Sequence, residues 1–199
     1  RNGLGYIKNE RIKMKNVTTK NTIVKVDSIF QNLIATKKLD LSQLIIEGKK
    51  FKKTFESNIK TTLHGKTLLD KKSMNYLNIN LTEILSYLLK PYCLNFIFNV
   101  SNIWVNRYDK NSYQGSHVHS SDFSFIIYYK VDKSHTVFNS PVNNLLQSFD
   151  NKFFPQYHEP NLKQGDIIVF PSYLGHWVRP NSNNITIAGN IKILKLIKN

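Results

Sequence analysis

Cysteine is almost absent: Cys93 stands alone in a chain of 199 residues. A single thiol forms no internal disulfide and excludes a zinc site of the multi-cysteine kind. The protein is accordingly expected in a reducing cytoplasm. Cys93, following Pro91 and Tyr92, reads as a small buried apolar residue, with nothing nearby to activate a thiolate. Long apolar runs are also missing. No stretch of about 18 apolar residues occurs, so no transmembrane helix is expected. No apolar segment follows Arg1 to Tyr6, which do not read as a signal peptide; without an initial Met, the sequence reads as trimmed or incomplete there. Acidic residues are scarce: 13 Asp and Glu stand against 28 Lys and Arg, a formal net charge of +15. Such an excess attracts phosphate and admits a nucleic-acid partner. It is equally the mark of a chain in which Lys, Asn and Ile recur throughout. The clusters are short (Lys49-Lys50, Lys52-Lys53, Lys71-Lys72), and most of the charge reads as a solvated surface.

What is present is core material. Hydrophobic residues make up 41% and aromatics 12%, which excludes a disordered chain. Residues 1–21 are basic and weakly patterned and read as a tail or a peripheral strand. Residues 22–199 read as one domain, with helical support in 39–90 and a β core in 94–197. Thr22 to Phe30 carries Ile23, Val24, Val26 and Ile29 in strand-like alternation. Leu39 to Phe51 reads as a helix with Leu41, Leu44 and Ile45 on one face, and 58–77 as polar and irregular. The clearest helix runs from Ile79 to Lys90. Leu81, Ile84, Leu85, Leu88 and Leu89 form one apolar stripe, Asn78 or Asn80 offers an N-cap, and Pro91 ends it.

Beyond Pro91 the residues become β-branched and aromatic. Strands are expected in Leu94 to Tyr108, Ser116 to Val131, Ile167 to Phe170, Gly175 to Val178 and Ile185 to Ile197. Asp109-Lys110-Asn111, Gly165-Asp166 and Pro180 to Asn183 supply turns. Helices first and strands later predict an α+β, mainly β architecture, with N-terminal helices packed on one antiparallel sheet. A closed or double-sheet arrangement would limit exposed edges.

Two histidine signals carry the chemistry. His117-Val118-His119 spaces two imidazoles so that on a strand they share a face, with Val118 in the opposite layer. Neutral imidazoles suit a divalent metal. By itself the pair also describes ordinary surface histidines. The second signal is Gly165 to Pro171, a turn and short apolar strand, followed by a loop that delivers His176. Between Gly175 and Trp177, His176 can face a cavity while Trp177 packs away. Alone, it is equally a core histidine bonded to a carbonyl. His64, His135 and His158 sit in polar, loop-like contexts and are expected to be exposed.

Together these signals resemble the iron- and 2-oxoglutarate-dependent oxygenases, especially small bacterial and phage members related to prolyl hydroxylases. The resemblance runs from Trp104 to Asn190. It rests on Trp104-Val105-Asn106, His117-Val118-His119, Ser124 to Tyr129, Gly165-Asp166 with Phe170-Pro171-Ser172, His176, and Ile185 to Asn190, in that order. It implies a double-stranded β-helix (jelly roll), Fe(II) as metal, 2-oxoglutarate as cosubstrate and hydroxylation of an unidentified substrate. It implies His117 and His176 as ligands and sets His119 where the family carries the carboxylate of its 2-His-1-carboxylate site. Three readings stay open: a three-His site, Asp122 supplying the carboxylate, or a weakened site in a protein that only binds. The family's cation for the distal carboxylate of 2-oxoglutarate falls at Asn184, which has no charge. Arg179 and Lys192 lie near it in sequence, Tyr129 matches a tyrosine that hydrogen-bonds that carboxylate, and Thr186 shares a face with Asn184. Two other functions stand beside the oxygenase: a three-His cupin-type metal enzyme that does not use 2-oxoglutarate, and a non-catalytic jelly-roll binding module.

Overall fold

The computed structural model describes residues 32–46, 52–53, 58–62, 69–92, 95–142 and 155–197. The basic stretch 1–21, the expected strand at Thr22 to Phe30, His64 and Cys93 lie outside the described residues. In chain order the strands are β1 (Ala35–Lys38), β2 (Lys52–Lys53), β3 (Lys60–Thr61), β4 (Asn95–Tyr108), β5 (Ser112–His117), β6 (Phe123–Lys130), β7 (Thr136–Asn139), β8 (Tyr157–His158), β9 (Asp166–Pro171), β10 (His176–Asn181) and β11 (Asn184–Ile197). Among the described residues one α-helix, α1 (Lys71–Leu89), precedes β4, and a short 3-10 turn spans Leu41–Gln43.

The strands form two antiparallel sheets. The larger has the order β1-β9-β6-β11-β4-β3-β2 and the smaller β5-β10-β7-β8. Period-two alternation sorts the residues of the larger sheet into two layers. Ile103, Val105, Phe125, Ile127, Ile167, Val169, Ile187 and Ile191 join the α1 leucines in one core. Trp104, Ile126, Tyr128, Ile168, Phe170 and Ala188 join Phe138 of the smaller sheet in a second. With a helix over one face and a sheet over the other, β6 and β9 must be apolar on both. This explains the uninterrupted runs at Phe125 to Tyr129 and Ile167 to Phe170. This is the expected jelly roll with helical support on one sheet. The residues from Asn32 onward make one compact unit.

Three local expectations are corrected. Over its described residues, 39–46, the segment Leu39 to Phe51 does not form the second support helix. Asp40 accepts from the Ser42 backbone N–H at 3.0 Å and from its hydroxyl at 2.7 Å, and so closes a single 3-10 turn. Leu44 leaves that turn in extended conformation, and residues 47–51 are outside the described set. A few apolar residues at helical spacing are satisfied equally well by a turn and an extended segment on the same core. The main helix begins earlier than its apolar stripe suggests. Asp70 caps it by accepting from the Ser73 N–H at 2.7 Å. Asn80 is absorbed mid-helix, donating to the Tyr76 carbonyl at 2.8 Å, so a polar residue that reads as a cap is a buried rung instead. The expected strand Ser116 to Val131 is two strands, β5 and β6, separated at 118–122.

Candidate metal centre

The site is built where β5 ends and β10 begins. His117, the last residue of β5, is the register partner of His176, the first residue of β10. His119 lies past the strand end, and its backbone N–H donates to the Ser172 carbonyl at 2.9 Å. Ser172 is itself anchored, its hydroxyl 2.8 Å from that of Ser124. The ring centroids are 4.3 Å apart for His117 and His176, 5.0 Å for His117 and His119, and 5.2 Å for His119 and His176. One ring nitrogen from each lies within 4.8 Å of the others, so the three converge on one point. The convergence does not come from the shared strand face that the spacing suggests. β5 has already ended at His117, and Val118 points into solvent, 59% exposed, rather than into an opposite layer.

The tautomers follow from the hydrogen bonds. The His117 Nδ1 position is 2.9 Å from the Gly115 carbonyl, and the His176 Nδ1 position is 3.0 Å from the Leu174 carbonyl. A carbonyl only accepts, so each Nδ1 carries the hydrogen and each Nε2 keeps its lone pair. Burial pushes the His176 imidazole down to about 3 and that of His119 down to about 4, with the other rings of the cluster adding to the effect. Rings kept neutral in this way offer lone pairs without first losing protons, the state a metal requires. Phe170 meets His176 edge-on at 4.8 Å, and Trp104 flanks His119 at 5.4 Å. The donor set therefore fits a divalent cation bound by three nitrogens, with apolar walls on two sides.

A narrow cavity of about 30 Å³ leads from the imidazoles along the inner face of the larger sheet. Away from the imidazoles its lining is mostly polar: Asn106, Tyr108, Tyr128, Thr136, Asn181, Asn184 and Thr186, with Lys133 and His135 beside them. Burial raises the phenol pKa of both Tyr108 and Tyr128. Asn106 Oδ1 and Asn181 Oδ1 are buried and have no hydrogen-bond partner among the described residues.

The residues expected to hold a cosubstrate carboxylate are mostly elsewhere. Tyr129 packs in the helix-side core, and Tyr128 is the tyrosine that reaches the cavity. One residue of register decides the face, and the alternation runs opposite to the expected one. Arg179 is exposed, paired with Glu159, and lies 4.9 Å from the centre of the Trp177 ring. Lys192 is engaged with Asp122 at 3.1 Å. Asn184 and Thr186 do line the cavity. Asp122 is not part of the histidine cluster: one oxygen takes Lys192, and the other accepts the Ile193 N–H at 2.7 Å. Asn106, Tyr108, Thr136, Lys133 and Asn181 were not expected at the site. The only available signal was the pairing of long strands that brings Asn106 opposite Thr186. His158 is exposed as expected, while His135 is half-buried at the cavity wall.

Residues 102–190, somewhat under half of the chain, match the family described as "Putative 2OG-Fe(II) oxygenase". No curated protein matches the sequence. Among solved structures, the chain is similar to an oxidoreductase of the 2OG-Fe(II) oxygenase family from Burkholderia pseudomallei, at 13% identity and a TM-score of 0.50, covering 72% of this chain and 71% of that one. It is also similar to a prolyl-4-hydroxylase from Pseudomonas putida, at 12% identity and a TM-score of 0.47, over 72% and 77% of the two chains. At these identities the likeness is one of fold. The family match adds that the segment from Asn102 to Asn190 is similar to the 2OG-Fe(II) oxygenases.

Proposed function

We propose that the protein is an Fe(II)- and 2-oxoglutarate-dependent oxygenase that hydroxylates a C–H bond of a substrate still to be identified, with His117, His119 and His176 as the metal ligands. The observation that carries this reading is the convergence of three imidazoles at one end of a cavity, in a segment that matches the oxygenase family. When bound, iron would couple the two-electron oxidation of one C–H bond to the decarboxylation of one 2-oxoglutarate, so that one O₂, one 2-oxoglutarate and one substrate give succinate, carbon dioxide and an alcohol.

The protein's own part is preparation. The Gly115 and Leu174 carbonyls fix the His117 and His176 rings with Nε2 directed inward. Ser172 holds the backbone at His119. Three ligands leave coordination positions free for a chelating oxo acid and for oxygen. Phe170 and Trp104 limit water at the ring faces. Because all three ligands are uncharged, the occupied site would carry one positive charge more than a 2-His-1-carboxylate site. This favours anionic ligands and changes the redox potential.

The test is succinate formation from 2-oxoglutarate by the iron-loaded protein, with oxygen uptake measured in parallel. Succinate production that disappears on His176→Ala supports the reading. Oxygen uptake that is indifferent to 2-oxoglutarate supports the second reading, a three-His metal enzyme that does not use that cosubstrate. One observation favours the second reading: Asn184, which the resemblance sets where the cosubstrate's cation would be, lines the cavity and carries no charge.

A further inference from the structure

β5 is irregular just before the histidine cluster. His117 stands opposite His176 and Gln114 opposite Val178, so β5 advances three residues while β10 advances two. Three residues apart on a regular strand, Gln114 and His117 would point to opposite faces. The extra residue makes a β-bulge, and both side chains line the one cavity. There Gln114 Nε2 lies 3.3 Å from His117 Nε2, and Gln114 Oε1 accepts the Tyr108 hydroxyl at 3.2 Å.

The sense of each bond is fixed from its two ends. The Gly115 carbonyl, 2.9 Å from His117 Nδ1, keeps the ring hydrogen there, so Nε2 presents a lone pair. An amide N–H satisfies that lone pair, and an amide oxygen would repel it. At the other end Tyr108 is buried, and burial keeps its phenol protonated as a donor to the amide oxygen. The hydrogens therefore run one way, from Tyr108 to Gln114 and from Gln114 to the His117 ring. The His117 nitrogen engaged in this way is a lone pair that a cation would need, and a lone pair that accepts a hydrogen cannot hold a metal at the same time.

We propose that Gln114 is a latch on the metal centre: its amide N–H occupies the His117 nitrogen, and a cation binds there only as that hydrogen bond opens. This rests on the reading of His117, His119 and His176 as the metal ligands, and adds a residue that sets metal affinity without coordinating the metal. Two effects oppose each other. The latch orients the His117 ring, which favours binding, and it must be broken, which disfavours it. The Gly115 carbonyl already fixes the ring by itself, so the second effect prevails. The half-buried Gln114 side chain also borders an outer hollow lined by Tyr113, Asn139 and Trp177, into which the released amide can turn.

The experiment measures binding, not turnover. Manganese affinity of the full-length protein is determined calorimetrically for wild type, Gln114→Leu, Gln114→Asn and His117→Ala, and the nitrogen NMR resonance of His117 Nε2 is recorded before metal is added. Gln114→Leu should bind manganese about two- to tenfold more tightly than wild type, the worth of one neutral hydrogen bond. It should also move the resonance towards that of an imidazole nitrogen without a hydrogen bond. Gln114→Asn keeps the amide but is too short to reach His117, and should do the same; it decides the matter if Gln114→Leu does not fold. Affinity unchanged or weakened in either folded variant, or a His117 resonance that the substitution does not move, overturns the latch and leaves the metal centre standing. No manganese bound by wild type, or His117→Ala binding it as tightly as wild type, overturns instead the three-imidazole reading beneath.

Discussion

His117 and His176 face each other as register partners across β5 and β10, with ring centroids 4.3 Å apart and each ring tied to the carbonyl of the residue two positions before it. The same short-range device thus orients both rings, and the strand pairing sets the distance between them. Metal affinity is therefore coupled to the pairing of the smaller sheet.

That coupling predicts a stability effect of metal. Divalent cation should raise the thermal midpoint of wild type and leave that of His176→Ala almost unchanged, because a ligand bound only by the folded state stabilises in proportion to its affinity. Calorimetry with and without manganese checks this. Equal stabilisation of both proteins would assign the binding to another part of the chain.

The neutral imidazoles predict the pH response of the metal-free protein. His176 at about 3 and His119 at about 4 lie below the ordinary value of 6.5. Above pH 6.5 neither the folded nor the unfolded chain protonates them, and they add no pH dependence. As pH falls from 6.5 towards 4, the unfolded chain takes up protons that the folded one resists, so stability declines. Urea midpoints at pH 7.5 and 5.0 should show the loss, and His176→Phe should show a smaller one. A wild-type midpoint that rises on acidification over this window contradicts the assignment.

Asp122 is predicted to be structural. Its two oxygens are taken by Lys192 and by the Ile193 N–H. Asp122→Asn should lower the thermal midpoint and leave manganese affinity within about twofold, well below the cost of losing a ligand. A fall in affinity comparable to that of His119→Ala would restore Asp122 as a ligand.

Gly189 is predicted to tolerate no side chain. It lies in β11 between Ile103 and Phe125, and a Cβ there would meet the Phe125 ring and come within 2.6 Å of the Asn102 carbonyl. The carbonyl belongs to the sheet and cannot retreat. Gly189→Ala should cost about 1–3 kcal/mol or more, the range of overpacked cores. Denaturant titration measures it, and a neutral substitution would mean that β4 and β11 separate more readily than their pairing implies.

The histidine cluster was legible because it is made of rare residues at short spacing: His117 and His119 announce themselves, and the loop after Pro171 brings His176 to them. The α1 stripe and the long strands after Pro91 were legible because periodicity survives in long elements. The cavity wall was not. Tyr128 and Tyr129 are adjacent and chemically identical, and only the pairing of β6 with β11 decides which faces inward. Asn181 becomes an oriented acceptor through two carbonyls that tertiary structure brings to it. Lys133 is one of many lysines in the sequence, and nothing local separates it from the solvated ones. The helix expected from Leu39 failed over its described residues, 39–46, because three apolar residues do not distinguish a helix from a capped turn.

The most direct test is anaerobic titration of metal-free protein with Fe(II), following iron bound per chain in wild type and in His117→Ala, His119→Ala and His176→Ala. One equivalent in wild type, with affinity reduced about 100-fold or more in each variant, is the predicted result for three cooperating nitrogen ligands. Full affinity in His119→Ala, or no iron bound by wild type, would contradict a centre built from these three imidazoles.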